Sequence, residues 1–578
     1  MNCSYFRRII PTASIAILIG LAAPVMAMEL QLYAQNSSEF SEKANGKSET
    51  VTDSLINHHR YTDNHNFKYQ APNSKHQFPN TKSKVLDSAH TDVWIGRTDE
   101  AQLQTANYHI PSTIDRTKAF NLKHSNQNLR NSIFNIQHST FALNSSLITS
   151  TSNSLPFHLQ TNRLGTVDPN STNFLNRIRA TGDLNETENF KIDYGTDLAL
   201  RISENSTVFF PELYLGAEYG AFRLDFGRFD RPIGLNNHDL SIGSMMVSRN
   251  AVPIPRIIIS NPEFTDIPWT EGIVQFKGLF SHGWFTDERY TDSPYLHQKF
   301  LYLKVNAGPI STTGGIVHNA QWGGTHPTFG RAPQSFDDYL RIVLSRPADP
   351  NSNAPPAQIS NALGNSIAAY EFAMEYEGEG FDLSATRLFY LEDSVSKRFR
   401  SPWDGVWGVN LSFDDQDRLL NAITYEHINT RRQDAKSDEE RGRAGYYNHS
   451  YYRSGWSHHN RTIGIPLITR DPESDRVDNN IIVGHHLGIN GQLHSTLNYK
   501  FLGTYTRNYG TASGFYKAPR GSIDFEERRE DNYSLMFELG YTPKAMQSLQ
   551  INASTAFDTG EFYGNRVGGE IGIRYTFD

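Results

Sequence analysis

Three stretches of the chain concentrate tryptophan, tyrosine, histidine and carboxylates closely enough to share one surface. The first runs Ser281-His282-Gly283-Trp284-Phe285-Thr286-Asp287-Glu288-Arg289-Tyr290 and continues to His297. The second is His318-Asn319-Ala320-Gln321-Trp322-Gly323-Gly324-Thr325-His326-Pro327, and the third spans Tyr446-Tyr447-Asn448-His449 to Trp456. Flat aromatic faces suit the C–H side of a pyranose, and fixed polar groups suit its hydroxyls. The expectation is a polysaccharide-binding surface drawn from Trp284, Asp287, Arg289, Tyr290, His297, His318, Trp322, His326, Tyr446, Tyr447, Asn448, His449 and Trp456. The competing reading is that the same aromatics only pack loops together, with glycine and proline setting the turns.

Catalysis has less support. No spacing among these histidines, aspartates and serines selects a nucleophile, a base and an orienting group, so no enzymatic activity is expected. The pairs His458-His459 and His485-His486 suggest metal, but neighbours on a strand point to opposite faces, so neither pair is expected to hold an ion. The glycine-rich stretches lack the strand, loop and helix setting of a phosphate loop, and no cofactor is expected.

The elements that would carry these loops are strands. From about Leu155 onward, apolar and polar residues alternate with a period of two. Phe190, Ile192, Tyr194, Leu198, Leu200 and Ile202 oppose Lys191, Asp193, Asp197 and Arg201; Tyr370, Phe372, Met374 and Tyr376 oppose Glu371, Glu375 and Glu377. Tyr533 to Tyr541 and Leu549 to Phe557 repeat the pattern. The chain ends on Ile571, Ile573, Tyr575 and Phe577, alternating with Glu570, Gly572, Arg574 and Thr576. An amphipathic terminal strand ending in aromatics is what closes an outer-membrane barrel.

Turn lengths sharpen the reading. Short connections are expected near Gly220, Asn306 to Ser311, Glu379, Asp414 to Asp417, Asn490-Gly491 and Pro543 to Gln547. Long ones are expected near Asp230 to Thr270, His282 to His297, Gln321 to Ser366, Asn429 to Asn479 and Thr506 to Asp531. One further strand around Arg256 to Ser260 is needed to keep both chain ends on one side. The fold class is therefore all-β, a transmembrane antiparallel barrel of about 18 strands. The mean hydropathy of −0.54 does not oppose this, because lipid-facing and lumen-facing residues average out along a strand.

Ahead of the barrel, Arg7-Arg8, the apolar run Ile9 to Val25 and Val25-Met26-Ala27 read as a signal peptide cleaved after Ala27. Residues 28–154 are rich in Asn, Ser, Thr, His and Lys and read as a polar, mostly disordered extension, with the barrel at 155–578. The one cysteine is Cys3, inside the leader, so the mature chain has no disulfide framework. Loss of Arg7 and Arg8 takes the net charge from −8 to −10, which argues against nucleic acid as a partner.

Several of these stretches resemble the Wzi-type capsule assembly family. They are Gly227-Arg228 with Pro232 and Gly234, Leu240-Ser241-Ile242-Gly243-Ser244, Asn250-Ala251-Val252-Pro253-Ile254-Pro255, Ser281-His282-Gly283-Trp284-Phe285, Gln321 to Pro327, Tyr446 to His449, Ser454-Gly455-Trp456 and His485-His486-Leu487-Gly488. The resemblance runs from about Leu155 to the C-terminus and does not take in the polar extension. It implies an 18-stranded outer-membrane barrel acting as a lectin that helps attach or organise capsular or exopolysaccharide at the cell surface. Outer-membrane lipid and that polysaccharide are the expected partners, and a monomeric barrel with loops facing outward the expected form. A porin for sugars or other small solutes is the rival, because inward charges of both signs also suit a pore lining.

Overall fold

The computed structural model describes residues 138–577 apart from 171, 188, 237, 393–400, 436–443 and 513–524. The leader and the extension up to residue 137 lie outside the described residues. The first third of the barrel comprises β1 (His138–Ser150), β2 (Asn173–Glu186), β3 (Phe190–Ile202), β4 (Thr207–Tyr219), β5 (Phe222–Arg228) and β6 (Arg256–Asp266). It continues with β7 (Val274–Trp284), β8 (Tyr295–Ala307), β9 (Ile310–Trp322), β10 (Asn365–Gly378), β11 (Phe381–Leu391) and β12 (Gly405–Phe413). The last six strands are β13 (Ala422–Asn429), β14 (Ile482–His494), β15 (Leu497–Asn508), β16 (Glu530–Tyr541), β17 (Leu549–Gly560) and β18 (Arg566–Phe577). Each pairs antiparallel with the next, and β18 pairs with β1 from Phe141↔Phe577 to Ser150↔Gly568. The sheet is a closed 18-stranded barrel, so it leaves no unpaired edge.

Alternation assigns the two faces. Leu213, Leu215, Leu224 and Phe226 on β4 and β5 are exposed on the outside, while Asp193, Asp197 and Asp225 are buried on the inside. Inward charges are paired across strands. Arg223 meets Asp193 at 2.6 Å and Asp225 at 2.8 Å, Arg231 meets Asp225 at 2.6 Å, and Arg177 and Arg179 share Asp197. Turned toward lipid, an Arg or Lys at mid-depth would cost about 2–4 kcal/mol.

The connections alternate between the two ends, and every one longer than eight residues falls at the same end. At one end lie 187–189, 220–221, 267–273, 308–309, 379–380, 414–421, 495–496 and 542–548. At the other lie loops L1 (151–172), L2 (203–206), L3 (229–255), L4 (285–294), L5 (323–364), L6 (392–404), L7 (430–481), L8 (509–529) and L9 (561–565). The strand expected near Arg256 is β6, and the parity argument that required it holds.

Two boundaries differ from the sequence reading. The barrel begins at His138, not Leu155: β1 carries only Phe141, Leu143 and Leu147 as exposed large apolar residues among serines and asparagine, so its alternation is faint. Asn490-Gly491 is not a turn. Both lie inside β14, paired with Lys500 and Tyr499, and the connection falls at 495–496. Gly491 is there because the Leu419 carbonyl would stand 1.9 Å from a Cβ at that position.

Candidate functional site

Loops L1, L3 and L7 fold inward and fill the barrel's long-loop end. L3 is tied down by two carboxylates on the inward wall. Glu426 on β13 accepts from Ser241 Oγ (2.6 Å), the Ile242 N–H (2.7 Å) and the Asn236 amide. Glu371 on β10 accepts from the Leu235 N–H (2.7 Å) and the Tyr302 hydroxyl (3.0 Å). L1 contributes α1 (Phe157–Gln160), whose Phe157 N–H donates to Asp558, and Arg163, which grips Glu570 with both terminal nitrogens. Such charge-assisted bonds satisfy inward carboxylates that burial would otherwise penalise.

L7 supplies the apolar filling. Trp456, Tyr446 and Tyr447 are completely buried in one cluster with Ile242, Met245, Met246, Ile463 and Ile465, against wall residues Ile367, Val406 and Ile428. The Trp456 indole donates to the Met246 carbonyl (2.9 Å), and the Tyr447 hydroxyl donates to the Met245 carbonyl and accepts from the Ile465 N–H (3.1 Å). Gly464 is required here, since a Cβ would lie 2.0 Å from that hydroxyl. Tyr446 donates to Asp404 in L6 (2.9 Å), which also accepts from the Arg432 and Gln433 N–H groups. Burial pushes the Asp404 carboxyl up to about 7. Asn448 donates to the Val477 carbonyl.

Asp287 and Arg289 fasten L4 to L7. The Arg289 guanidinium lies 4.1 Å over Phe285 and donates to the Ser457 and Gly455 carbonyls. Asp287 accepts from the His459 N–H (3.0 Å). Burial alone would raise its carboxyl, but Arg289 and the neighbouring L7 groups hold it below the usual range. His458, 3.8 Å away, is kept neutral by burial, which pushes it down to about 3.

Four other candidates sit on the outside of the wall. Trp284, His297, His318 and Trp322 lie on the outward face of β7 to β9, in line with exposed Phe280, Leu301 and Ile316. L5 folds back over them with α2 (Phe336–Val343), which starts on a Ser335/Asp338 capping box. The His282 ring lies 4.9 to 5.9 Å from those of Trp284, Tyr295, Trp322 and Tyr339. His297 and His318 meet Tyr339 and Ser345 of L5. The far side of α2 carries exposed Phe336, Leu340 and Leu344, one helical stripe that extends the apolar belt.

The remaining candidates lie between L4, L5 and L7, where His326 and Tyr451 are buried, Tyr290, His449 and Arg453 are half-buried, and Phe329 is exposed. Tyr290 stands 5.2 Å from His326, which lies 4.5 Å from Tyr451, and Phe329 stacks on Tyr451 at 15°. Arg453 lies over Tyr290 at 5.1 Å. His326 accepts from the Thr328 and Phe329 N–H groups, and His449 accepts from those of Tyr451 and Tyr452, so each histidine fixes an aromatic turn. Phe329 is 54% exposed. Phe329 stands two residues beyond the second stretch, and Tyr451 and Arg453 lie inside the third, where nothing in the sequence sets them apart from their aromatic and polar neighbours. Among the described residues, no group of three His, Cys, Asp or Glu converges as a metal site would require.

A closed 18-stranded barrel with an apolar outer belt, ion-paired inner wall and loop-filled mouth is an outer-membrane β-barrel. Among solved structures, Wzi of Escherichia coli, described as an outer membrane protein involved in group 1 capsule assembly and a carbohydrate-binding β-barrel, aligns at 13% identity. That alignment covers 78% of this chain and 87% of Wzi, with a TM-score of 0.49. A variant of OccD1 (OprD) aligns at 9% identity over 77% of this chain and 96% of its own, TM-score 0.37. OmpT, an outer membrane protein of Vibrio cholerae, aligns at 8% over 76% and 96%, TM-score 0.32. No curated protein matches in sequence. The profile of the family "Capsule assembly protein Wzi" matches residues 120–568, and the chain belongs to that family. The match begins within the polar extension, ahead of the first strand.

Proposed function

We propose that this barrel binds capsular or exopolysaccharide at the outer surface of the outer membrane and helps attach or assemble the capsule there. The observation that carries the reading is the aromatic cluster between L4, L5 and L7 at the long-loop end, where exposed Phe329 and half-buried Tyr290 and Arg453 pack against buried His326 and Tyr451. Family membership supports it, as does the carbohydrate binding ascribed to Wzi of E. coli. In this reading the leader is removed after Ala27, the long loops face outward, the barrel acts as a monomer, and the role is recognition without turnover.

This cluster also redirects the choice of site residues. Trp456, Tyr446 and Tyr447 have no face left for a sugar, and Trp322 is covered by α2. A porin reading is opposed by the packing of L1, L3 and L7 inside the lumen.

The test is binding of the purified, detergent-folded protein to its own cell's surface polysaccharide, beside Tyr290→Ala, Phe329→Ala and Arg453→Ala. An aromatic contact is worth about 0.5–1.5 kcal/mol beyond its buried area, so each aromatic change is expected to weaken binding several-fold. Binding that all three changes leave intact would remove the cluster, and no binding by the wild type would remove the polysaccharide reading.

A further inference from the structure

The outward face of β7 to β9 changes character near the long-loop end. On β4 and β5 that face presents Leu213, Leu215, Leu224 and Phe226, whereas here it carries His282, His297, Lys299 and His318. Imidazoles and an ammonium group turned to hydrocarbon are costly. Directly toward the short-turn end the wall is apolar again, with Phe280, Leu301 and Ile316 all exposed. Lys299 and Leu301 are successive outward residues of β8, so the polar patch ends where the lipid belt begins.

L5 covers the patch and gives it a new outer surface. The Tyr339 ring lies 5.6 Å from those of His282 and His297, and Ser345 Oγ lies 3.2 Å from His318 Nε2. Lys299 donates to the Val343 carbonyl in the last turn of α2, the end of a helix that favours a cation. Beneath, Ile342 packs with Trp322, Ala348 and Leu363. His297 and His318 are buried as a result. Turned away from the wall, Phe336, Leu340 and Leu344 follow one another four residues apart and are 75%, 42% and 57% exposed. On the adjacent row, Asp337 and Arg341 pair at 3.0 Å. Because Lys299 holds the last turn of α2 beside Leu301, the apolar row is continuous with the lipid belt. Three side chains on two turns fall far short of the roughly 800 Å² per partner that a stable protein interface buries, so a second copy is the poorer occupant. An amphipathic helix at the edge of a hydrocarbon layer sets its apolar row into that layer.

We propose that α2 is an in-plane lipid contact, whose Phe336, Leu340 and Leu344 insert among the acyl chains of the leaflet at the long-loop end. L5 thereby replaces a polar stretch of the outer wall with an apolar one. The inference stands on the barrel's place in the membrane and needs no sugar. It also bears on the polysaccharide reading, because His326 and Phe329 belong to the same loop: a lipid contact at α2 fixes how near to the membrane surface their cluster stands.

The test uses the full chain with Cys3→Ser, folded into dioleoylphosphatidylcholine vesicles and carrying one nitroxide at Leu340→Cys. Leu344→Cys is a second position should the first not fold, Leu301→Cys marks the belt, and Asp337→Cys marks the charged row. Each label is exposed to oxygen, which concentrates in the acyl chains, and to an uncharged nickel chelate confined to water. The Leu340 label is expected to match Leu301, relaxed by oxygen and shielded from nickel, with an oxygen-to-nickel ratio several-fold above that at Asp337. A Leu340 label as open to nickel as Asp337 would overturn the proposal. So would a label shielded from both reagents, which would mean that protein covers the row. Spin–spin broadening at Leu340 that disappears on dilution with unlabelled protein would assign the row to a second copy and overturn the lipid contact.

Discussion

The two ends of this lumen share one wall and are finished in opposite ways. At the long-loop end, L3 and L7 bring isoleucine, methionine, tyrosine and tryptophan into the barrel, and the wall answers with Glu371 and Glu426 as acceptors for their backbone and hydroxyl groups. At the short-turn end, among the described residues, no loop enters and the wall carries amides such as Asn421, Asn490, Gln492 and Asn498. An inward face that must be polar can thus meet chain that supplies both apolar mass and hydrogen-bond donors, or be lined with neutral amides.

The largest expected break in that contrast is Trp456→Ala. It removes a fully buried indole and its bond to Met246, a change of about 3–5 kcal/mol. L3 and L7 should then become protease-sensitive while the strands stay protected, and current should pass through a barrel that was closed. Glu426→Gln is expected to be next. It keeps the shape but sets an NH2 group against donors from Ser241, Ile242 or Asn236, at about 1–3 kcal/mol, read as faster cleavage within L3.

A third change is smaller and depends on pH. The folded-state Asp404 carboxyl is raised to about 7 by burial, above the usual value of about 3.9 for an open chain. The folded loop therefore holds the proton more tightly than the opened one. The stability this contributes is fully present below about 4 and is lost as pH rises through about 7. Proteolysis of L7 should be several-fold faster at pH 8 than at pH 5, relative to Asp404→Asn at each pH, in which the difference should flatten. The smallest expected effect belongs to Phe329→Ala, which should move plug proteolysis by no more than about 0.5 kcal/mol while it weakens polysaccharide binding.

Most of the wall was legible in the sequence because lipid on one side and a polar lumen on the other impose a period of two, as in Tyr533 to Tyr541. Parity alone called for β6. Serine-rich β1 was not legible, because Ala142 and Ile148 are apolar on its inward face while Ser145 and Thr149 are polar on its outward one, and Asn490-Gly491 copied a turn signal whose glycine serves a close approach by Leu419. The candidate site was legible only as composition. The sequence marks Trp284, Trp322 and Trp456 as a group, yet the first two face outward, Trp322 beneath α2, and the third fills the lumen, since period two does not say where a loop folds back. Glu371 could be assigned to the inward face, but its role depends on Leu235, more than a hundred residues away in sequence.

The most direct test of a barrel sealed by its own loops is single-channel recording of the wild-type protein in planar bilayers, with Trp456→Ala as the opened control. The expected result is no steady current from the wild type and measurable current from the variant. A steady open-channel current from the wild type would contradict the sealed lumen and favour a porin.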